Sequence, residues 1–324
     1  MSSPATRAGG PQNVFMDRFV LEPKVQRVWD IPHATWFTLM GVGGGVFVVG
    51  RGLGLESELG TALGLPLVDL ISFVAIAVGG LILVADLGRP LRFLRALLNP
   101  GTSWISRGAI ADFVFLLAGG ALVLADLELG SSRPFAGLPW DAAADSGLGR
   151  VLEIVAVLAG LVVMFYAGQV LAAPRAIPYW HSPLIPAQFV LSAAATSVAL
   201  VMVLEAANDQ AIPAGHCWLL IGCLALLLAT TVWHLRTDAD RPGKAESIER
   251  LTRGLHRVPF LGGVIGAGTL LPLVLALLGT VVADTRDAVA VVAFVCTLGA
   301  GFLLRLLTLR VGIFPPVRAM APVR

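Results

Sequence analysis

Charge is what this chain has least of. Asp, Glu, Lys and Arg make up 14% of its 324 residues, against about a quarter in a water-soluble globule, so an ordinary soluble domain is excluded. The net charge is only +2. The basic residues are dispersed over loops, leaving no basic face on which nucleic acid would bind. Cysteine is scarce as well. Cys217, Cys223 and Cys296 lie inside apolar stretches and form no C-x-x-C pair, which excludes a disulfide framework and an iron–sulfur cluster in this chain and leaves them as packing residues. No other metal-ligand spacing is present. Residues 1–32 are polar, with neither an apolar h-region nor a twin-arginine pair, so no cleaved export signal is expected and the first membrane helix directs insertion.

In place of charge stand eight runs of about twenty mostly apolar residues: 34–54, 66–86, 103–126, 148–172, 184–206, 212–234, 259–282 and 287–309. Each is long enough to cross a hydrocarbon core of ~30 Å at ~1.5 Å per residue. The expectation is an all-α, polytopic integral membrane protein. A polar tail, 1–33, precedes an eight-helix domain, 34–309, and a short tail, 310–324, follows it. Eight crossings put both tails on one face, A. That face, with loops 87–102, 173–183 and 235–258, holds seventeen Lys and Arg, whereas face B holds Arg133 and Arg286, plus Arg150 at a helix edge. The positive-inside rule then places face A in the cytoplasm of a plasma-membrane protein. Glycines crowd the first helix at 41, 43, 44, 45 and 50, where small residues allow close backbone approach.

Several residues could carry chemistry. The first helix opens Trp29-Asp30-Ile31-Pro32-His33. Pro32 suits a first helical turn and Asp30 an N-cap. Asp30 and His33, three residues apart, could converge as a proton-handling pair, or be simply a cap and an interfacial His. Tyr166, one of two tyrosines, stands at the face-A end of the fourth helix, where a phenol can bond a ligand carbonyl or serve an interfacial belt. Asp112 lies about 13 Å deep in the third helix. An ionisable group there is either a proton relay, with Gln188, Ser192 or Thr196 as possible neighbours, or a packing determinant. Asp69, Glu153 and Glu205 fall near face-B helix ends and are expected to reach the interface. Arg89, Arg92 and Arg95, interleaved with leucines, suggest an interfacial helix facing lipid headgroups or an acidic partner.

Three segments together resemble a known family. Asp86-Leu87-Gly88-Arg89-Pro90 with Asn99-Pro100-Gly101-Thr102-Ser103-Trp104, the Asp30…His33 opening, and Tyr166-Ala167-Gly168 followed by Pro178-Tyr179-Trp180-His181-Ser182-Pro183-Leu184-Ile185-Pro186 are similar to the NrfD/PsrC membrane subunits of molybdenum and iron–sulfur oxidoreductases. The resemblance implies two four-helix bundles and a quinone or quinol site at the positions of Asp30, His33 and Tyr166. The quinone would be menaquinone or ubiquinone. No haem is implied in this chain. The implied partners are a four-cluster ferredoxin-like subunit and a molybdopterin catalytic subunit. At Arg107 the family pattern has an apolar or aromatic residue. Two other classes compete. A haem-b anchor needs paired axial histidines, whereas four of the five cluster at face A and His216 stands nearly alone at face B. A secondary transporter needs an inverted repeat, and none is evident.

Overall fold

The structure, a computed structural model, describes residues 23–55, 58–86, 97–135, 137–140 and 147–315. Arg89, Arg92, Arg95 and most of the Asp86–Pro90 motif lie outside them. Among the described residues stand eight helices long and apolar enough to cross a membrane: α1 (Ile31–Gly52), α2 (Leu67–Asp86), α3 (Trp104–Asp126), α4 (Gly147–Ala172), α5 (Leu184–Ala207), α6 (Ala214–Arg236), α8 (Val258–Val281) and α9 (Arg286–Arg310). A short amphipathic helix, α7 (Lys244–Thr252), lies in the α6–α8 connection. The chain is an all-α polytopic membrane protein.

Packing follows chain order. Helices α1–α4 form one bundle, and α5, α6, α8 and α9 the other. The two meet where α1 packs on α5 and α9 and where α4 packs on α5. Helices α1 and α5 are accordingly the most buried spans. The outer faces of the other helices present Leu81, Leu117, Leu158 and Val295, which suits lipid contact. The glycines of α1 admit the close contacts their density suggested. A Cβ on Gly44 would lie 2.6 Å from the Gly160 carbonyl oxygen of α4, and one on Gly43 would lie 2.8 Å from Ile76 of α2.

Local chemistry sets the helix ends. Pro32 sits in the first turn of α1, where its missing N–H costs nothing. Ser103 caps α3 by accepting from the Ser106 N–H at 3.3 Å. Arg107 stacks over Trp104 at 4.5 Å and donates to the carbonyls of Pro100 and Gly101, so it braces the loop before α3. The seventh span departs from a regular helix. Val258–Leu270 is wound as a π-helix before α-helical Leu271–Val281. Pro272 supplies a physical reason: it cannot donate to the preceding turn and its ring crowds the carbonyl four residues back, and a wider register accommodates both. Thr269 Oγ1 donates five residues back, to Val264 O at 2.9 Å.

The two described chain ends meet at face A. Strand β1 (Lys24–Val25) pairs antiparallel with β4 (Ile313–Phe314). The Gln26 amide donates to the carbonyls of Trp29 and Leu309, both at 2.7 Å, and Trp180 Nε1 donates to Thr308 O at 2.7 Å. These bonds fix the start of α1 against the end of α9. A second minimal hairpin, β2 (Thr61–Ala62) with β3 (Leu65–Pro66), lies at face B.

Two of the three face-B carboxylates, Asp69 and Glu205, do not reach out to the interface, while Glu153 stays part-exposed. Asp69 is buried and accepts from Arg51 Nη2 at 2.6 Å, while Glu153 lies 3.6 Å from Arg51 Nη1 and 3.2 Å from Arg150. Glu205 is buried and bonds His216 Nδ1 at 2.8 Å. Each acid lies within reach of a cation or imidazole on a neighbouring helix, and pairing inside the bundle competes with hydration at its edge.

Candidate functional site

The residues singled out at face A do not form one trio. Asp30 occupies the N-cap position of α1, but its carboxylate makes no capping bond. It takes two hydrogen bonds from the Arg310 guanidinium, at 2.7 and 3.2 Å. Its backbone is not yet helical, and the side chain bonds the end of α9 instead of capping α1. The carboxylate nearest His33 is Asp86, the last residue of α2, whose Oδ2 is 3.4 Å from Nδ1.

Aromatic rings hold His33 in place and link it to Tyr166. Its imidazole stacks on Trp29 with centroids 5.1 Å apart and an interplanar angle of 11°, and Trp29 in turn stacks on Trp180 at 5.7 Å. Trp36, one turn deeper on α1, has its ring 6.5 Å from His33 and 6.0 Å from Tyr166. His33 and Tyr166 therefore flank the Trp36 indole and do not touch. Helical rise puts them at different depths, His33 about 3 Å and Tyr166 about 9 Å inside the face-A ends of their helices.

Tyr166 is fully buried, and its hydroxyl donates to Asp112 Oδ2 at 3.1 Å. Asp112 thus faces α4 and the phenol. The neighbours its sequence position suggests are engaged elsewhere: Gln188 donates to Thr230 O, Ser192 accepts from Arg305, and Thr196 donates to Ser192 O. Those three stand on α5, in the other bundle from Asp112. Close packing makes the Tyr166–Asp112 contact possible. A Cβ on Gly108 would fall 2.1 Å from Tyr166 Cδ2, so the ring lies directly on the α3 backbone.

Four residues of graded depth emerge from face A: His33, Trp36, Tyr166 and Asp112. Three of their buried polar atoms, His33 Nδ1, Trp36 Nε1 and Asp112 Oδ1, make no hydrogen bond among the described residues. Buried polar atoms are rarely left so. A cavity of about 870 Å³ adjoins the row, walled by Trp29, Val170, Ile177, Trp180 and Phe314. Its volume suits a drug-sized ring system. It does not extend to Tyr166 or Asp112, and Trp29 is what the cavity shares with the stack on His33.

Reading the sequence alone missed Trp36 and Asp86 as site residues. Trp36 had a usable signal, since i and i+3 share a helix face and it follows His33 at that spacing. Asp86 had one too, standing at a helix end within a motif already singled out. Away from this row, His181 Nδ1 bonds Ala172 O at 2.7 Å and His234 Nδ1 lies 3.2 Å from Ser182 Oγ. Tyr179 meets the His234 ring edge-on at 4.7 Å, and burial pushes its phenol pKa up.

The fold and this row define a class: a two-bundle membrane protein with titratable and aromatic side chains gathered at one face of the bundle junction. Over residues 20–316 the sequence matches the family described as polysulphide reductase, NrfD, and the chain belongs to that family. A comparison with curated proteins finds no match. Membership makes the protein a membrane subunit of a quinone-linked oxidoreductase.

Proposed function

We propose that this chain carries the quinone-reactive site of an iron–sulfur and molybdopterin oxidoreductase. Electrons would pass between a membrane menaquinone or ubiquinone and a four-cluster ferredoxin-like partner, with a molybdopterin subunit completing the complex. Face A, with its seventeen basic residues, would lie in the cytoplasm of the plasma membrane. The observation that carries the reading is the pair of unpartnered polar atoms on either side of Tyr166, a donor at Trp36 Nε1 and a carboxyl oxygen at Asp112, with the His33 imidazole beside Trp36. A quinone presents two carbonyl oxygens on a flat ring, which such atoms and the surrounding aromatic faces complement.

When bound, the quinone supplies a carrier for two electrons and two protons; the chain supplies position and protons. The Trp36 indole N–H would donate to a ring oxygen. The His33 imidazole, oriented by the Asp86 carboxylate at 3.4 Å, holds or releases a proton at Nδ1 near the membrane surface. The Tyr166 hydroxyl keeps its proton in the bond to Asp112, ready to pass along that pair. Trp29, Trp36 and Phe37, packed on one another, would keep water from the ring face. Asp30 acts one step removed, by holding α1 to α9 through Arg310.

The test is quinol-linked turnover of the assembled complex beside its partner-only activity with an artificial electron donor or acceptor. Tyr166→Phe removes one hydroxyl, worth about 0.5–1.5 kcal/mol, so apparent quinone affinity should weaken by about 2–13-fold. His33→Ala should cost more, because it removes a bonding group and a proton carrier together. Wild-type quinone kinetics in both variants, with assembly intact, would reject the site.

A further inference from the structure

Arg305 is a charge in an unusual place. It lies about 7.5 Å inside the face-A end of α9 and is fully buried, at 1% exposure. Its guanidinium donates to Ser192 Oγ at 3.1 Å, Gly301 O at 2.9 Å and Phe189 O at 3.0 Å, and lies over the Phe189 ring at 4.8 Å. Every one of these acceptors is neutral. Among the described residues no carboxylate lies within ion-pair distance of it, and Nε has no partner. An arginine in a membrane protein stays protonated, so the positive charge is desolvated without a counter-charge, a costly arrangement that is functional by default.

The surroundings indicate what that charge acts on. Arg305 sits at the junction of the two bundles, against α1: a Cβ on Gly41 would lie 2.7 Å from its Nη2. Gly41 is eight residues beyond His33 and five beyond Trp36 on the same helix, a rise of about 12 Å and about 7.5 Å respectively. Aromatic rings occupy the intervening space: Phe189 packs on Phe37 at 6.0 Å, and Phe37 on Trp36 at 4.1 Å. The field of the guanidinium therefore reaches the Trp36 region through a poorly screening path.

We infer that Arg305 is an electrostatic positioning residue that makes the quinone site proposed about Trp36 favour negatively charged ring ligands over neutral ones. The inference rests on that proposed site and adds to it a determinant of ligand charge. At about 12 Å and an effective dielectric near 20, one positive charge favours one negative charge by about tenfold. Asp86 beside His33 and Asp112 beside Tyr166 act in the opposite sense, so Arg305 would offset them. A residue with this effect lets electrons reach a bound ring ahead of protons.

The test uses two flat probes of similar size: 2-hydroxy-1,4-naphthoquinone, an anion at neutral pH, and neutral 2-methyl-1,4-naphthoquinone. Binding is read by quenching of tryptophan fluorescence in the full-length protein, purified in mild detergent with its bound partners. Arg305→Gln keeps hydrogen-bonding capacity without charge. Arg305→Met removes the desolvation cost together with the charge, and is the variant most apt to fold. In either, affinity for the anion should fall about tenfold while that for the neutral probe stays within about twofold, and Arg305→Lys should restore most of the anion's affinity. Equal loss of both probes, or of neither, would overturn the inference and leave Arg305 as a brace between bundles. Failure of the wild-type protein to bind either probe would instead reject the quinone site.

Discussion

Gly108 offers the most direct test of the Tyr166–Asp112 pair. In Gly108→Ala the new methyl would stand 2.1 Å from Tyr166 Cδ2, 2.3 Å from Cε2 and 2.4 Å from Cγ, against about 3.5–4.0 Å for an ordinary carbon contact. The atoms met belong to the ring and its attachment, so no torsion at a flexible tip relieves the clash, and the phenol has to move by about 1.5 Å. Overpacking of this kind costs about 1–3 kcal/mol. The same movement lengthens the 3.1 Å bond to Asp112 beyond hydrogen-bonding range and strips Asp112 of its partner, a further cost of about 1–3 kcal/mol. Gly108→Ala should thus be destabilised by about 2–6 kcal/mol, whereas Tyr166→Phe, which leaves the ring in place, should lose about 0.5–1.5 kcal/mol. Thermal midpoints in detergent, taken with a quinone titration, measure both. In a Tyr166→Ala background the obstruction is gone, so Gly108→Ala should there cost almost nothing beyond the Tyr166 change. A neutral Gly108→Ala, or a cost that persists in that background, would refute the packing reasoning.

Trp36→Phe should change thermal stability little, since an unpartnered indole N–H is removed along with some packing area, yet weaken quinone binding by about 2–13-fold; unchanged titrations would dismiss the indole as a ligand. Ala239→Cys, in the loop of residues 235–258, should resist an impermeant thiol reagent in intact cells and react after lysis, and labelling before lysis would place face A outside.

What the sequence disclosed and what it hid separate along a physical line. Spans were legible because the bilayer imposes them: every stretch of about twenty apolar residues in the sequence is a helix in the structure, and α1 begins earlier, at Ile31, because Pro32 is compatible with a first turn. Facing partners were not legible. Asp30 and Arg310 are 280 positions apart, and Tyr166 and Asp112 are 54 apart. Helical periodicity gives the face a side chain occupies but not which helix stands opposite. The π-helical turn-in of α8 had visible cues in Gly262, Gly263, Gly266, Gly268 and Pro272, which also serve plain close packing; a Cβ on Gly268 would lie 1.9 Å from Ala300 Cβ. Arg305 disappeared into an otherwise apolar stretch, where average hydropathy masks one cation.

Helix α1 explains why the candidate site lies where it does. Its inner half, Gly41 to Gly45, carries almost no side-chain bulk, so the helix can sit against α2, α4, α5 and α9 at once. A helix packed on that many neighbours presents little surface to lipid, and what it carries at its other half is forced into the junction between the bundles. That half is His33, Trp36 and Phe37 with Trp29 just before it. Small residues deeper in the membrane therefore place large aromatic and titratable residues at face A, between α4, which brings Tyr166, and α9, which brings Arg305 and Arg310. Bulk introduced at Gly44, whose Cβ would meet the Gly160 carbonyl oxygen at 2.6 Å, would push α1 from α4 and widen the Trp36–Tyr166 contact without touching either residue. Packing in the glycine half and chemistry in the aromatic half are in this sense one property of a single helix.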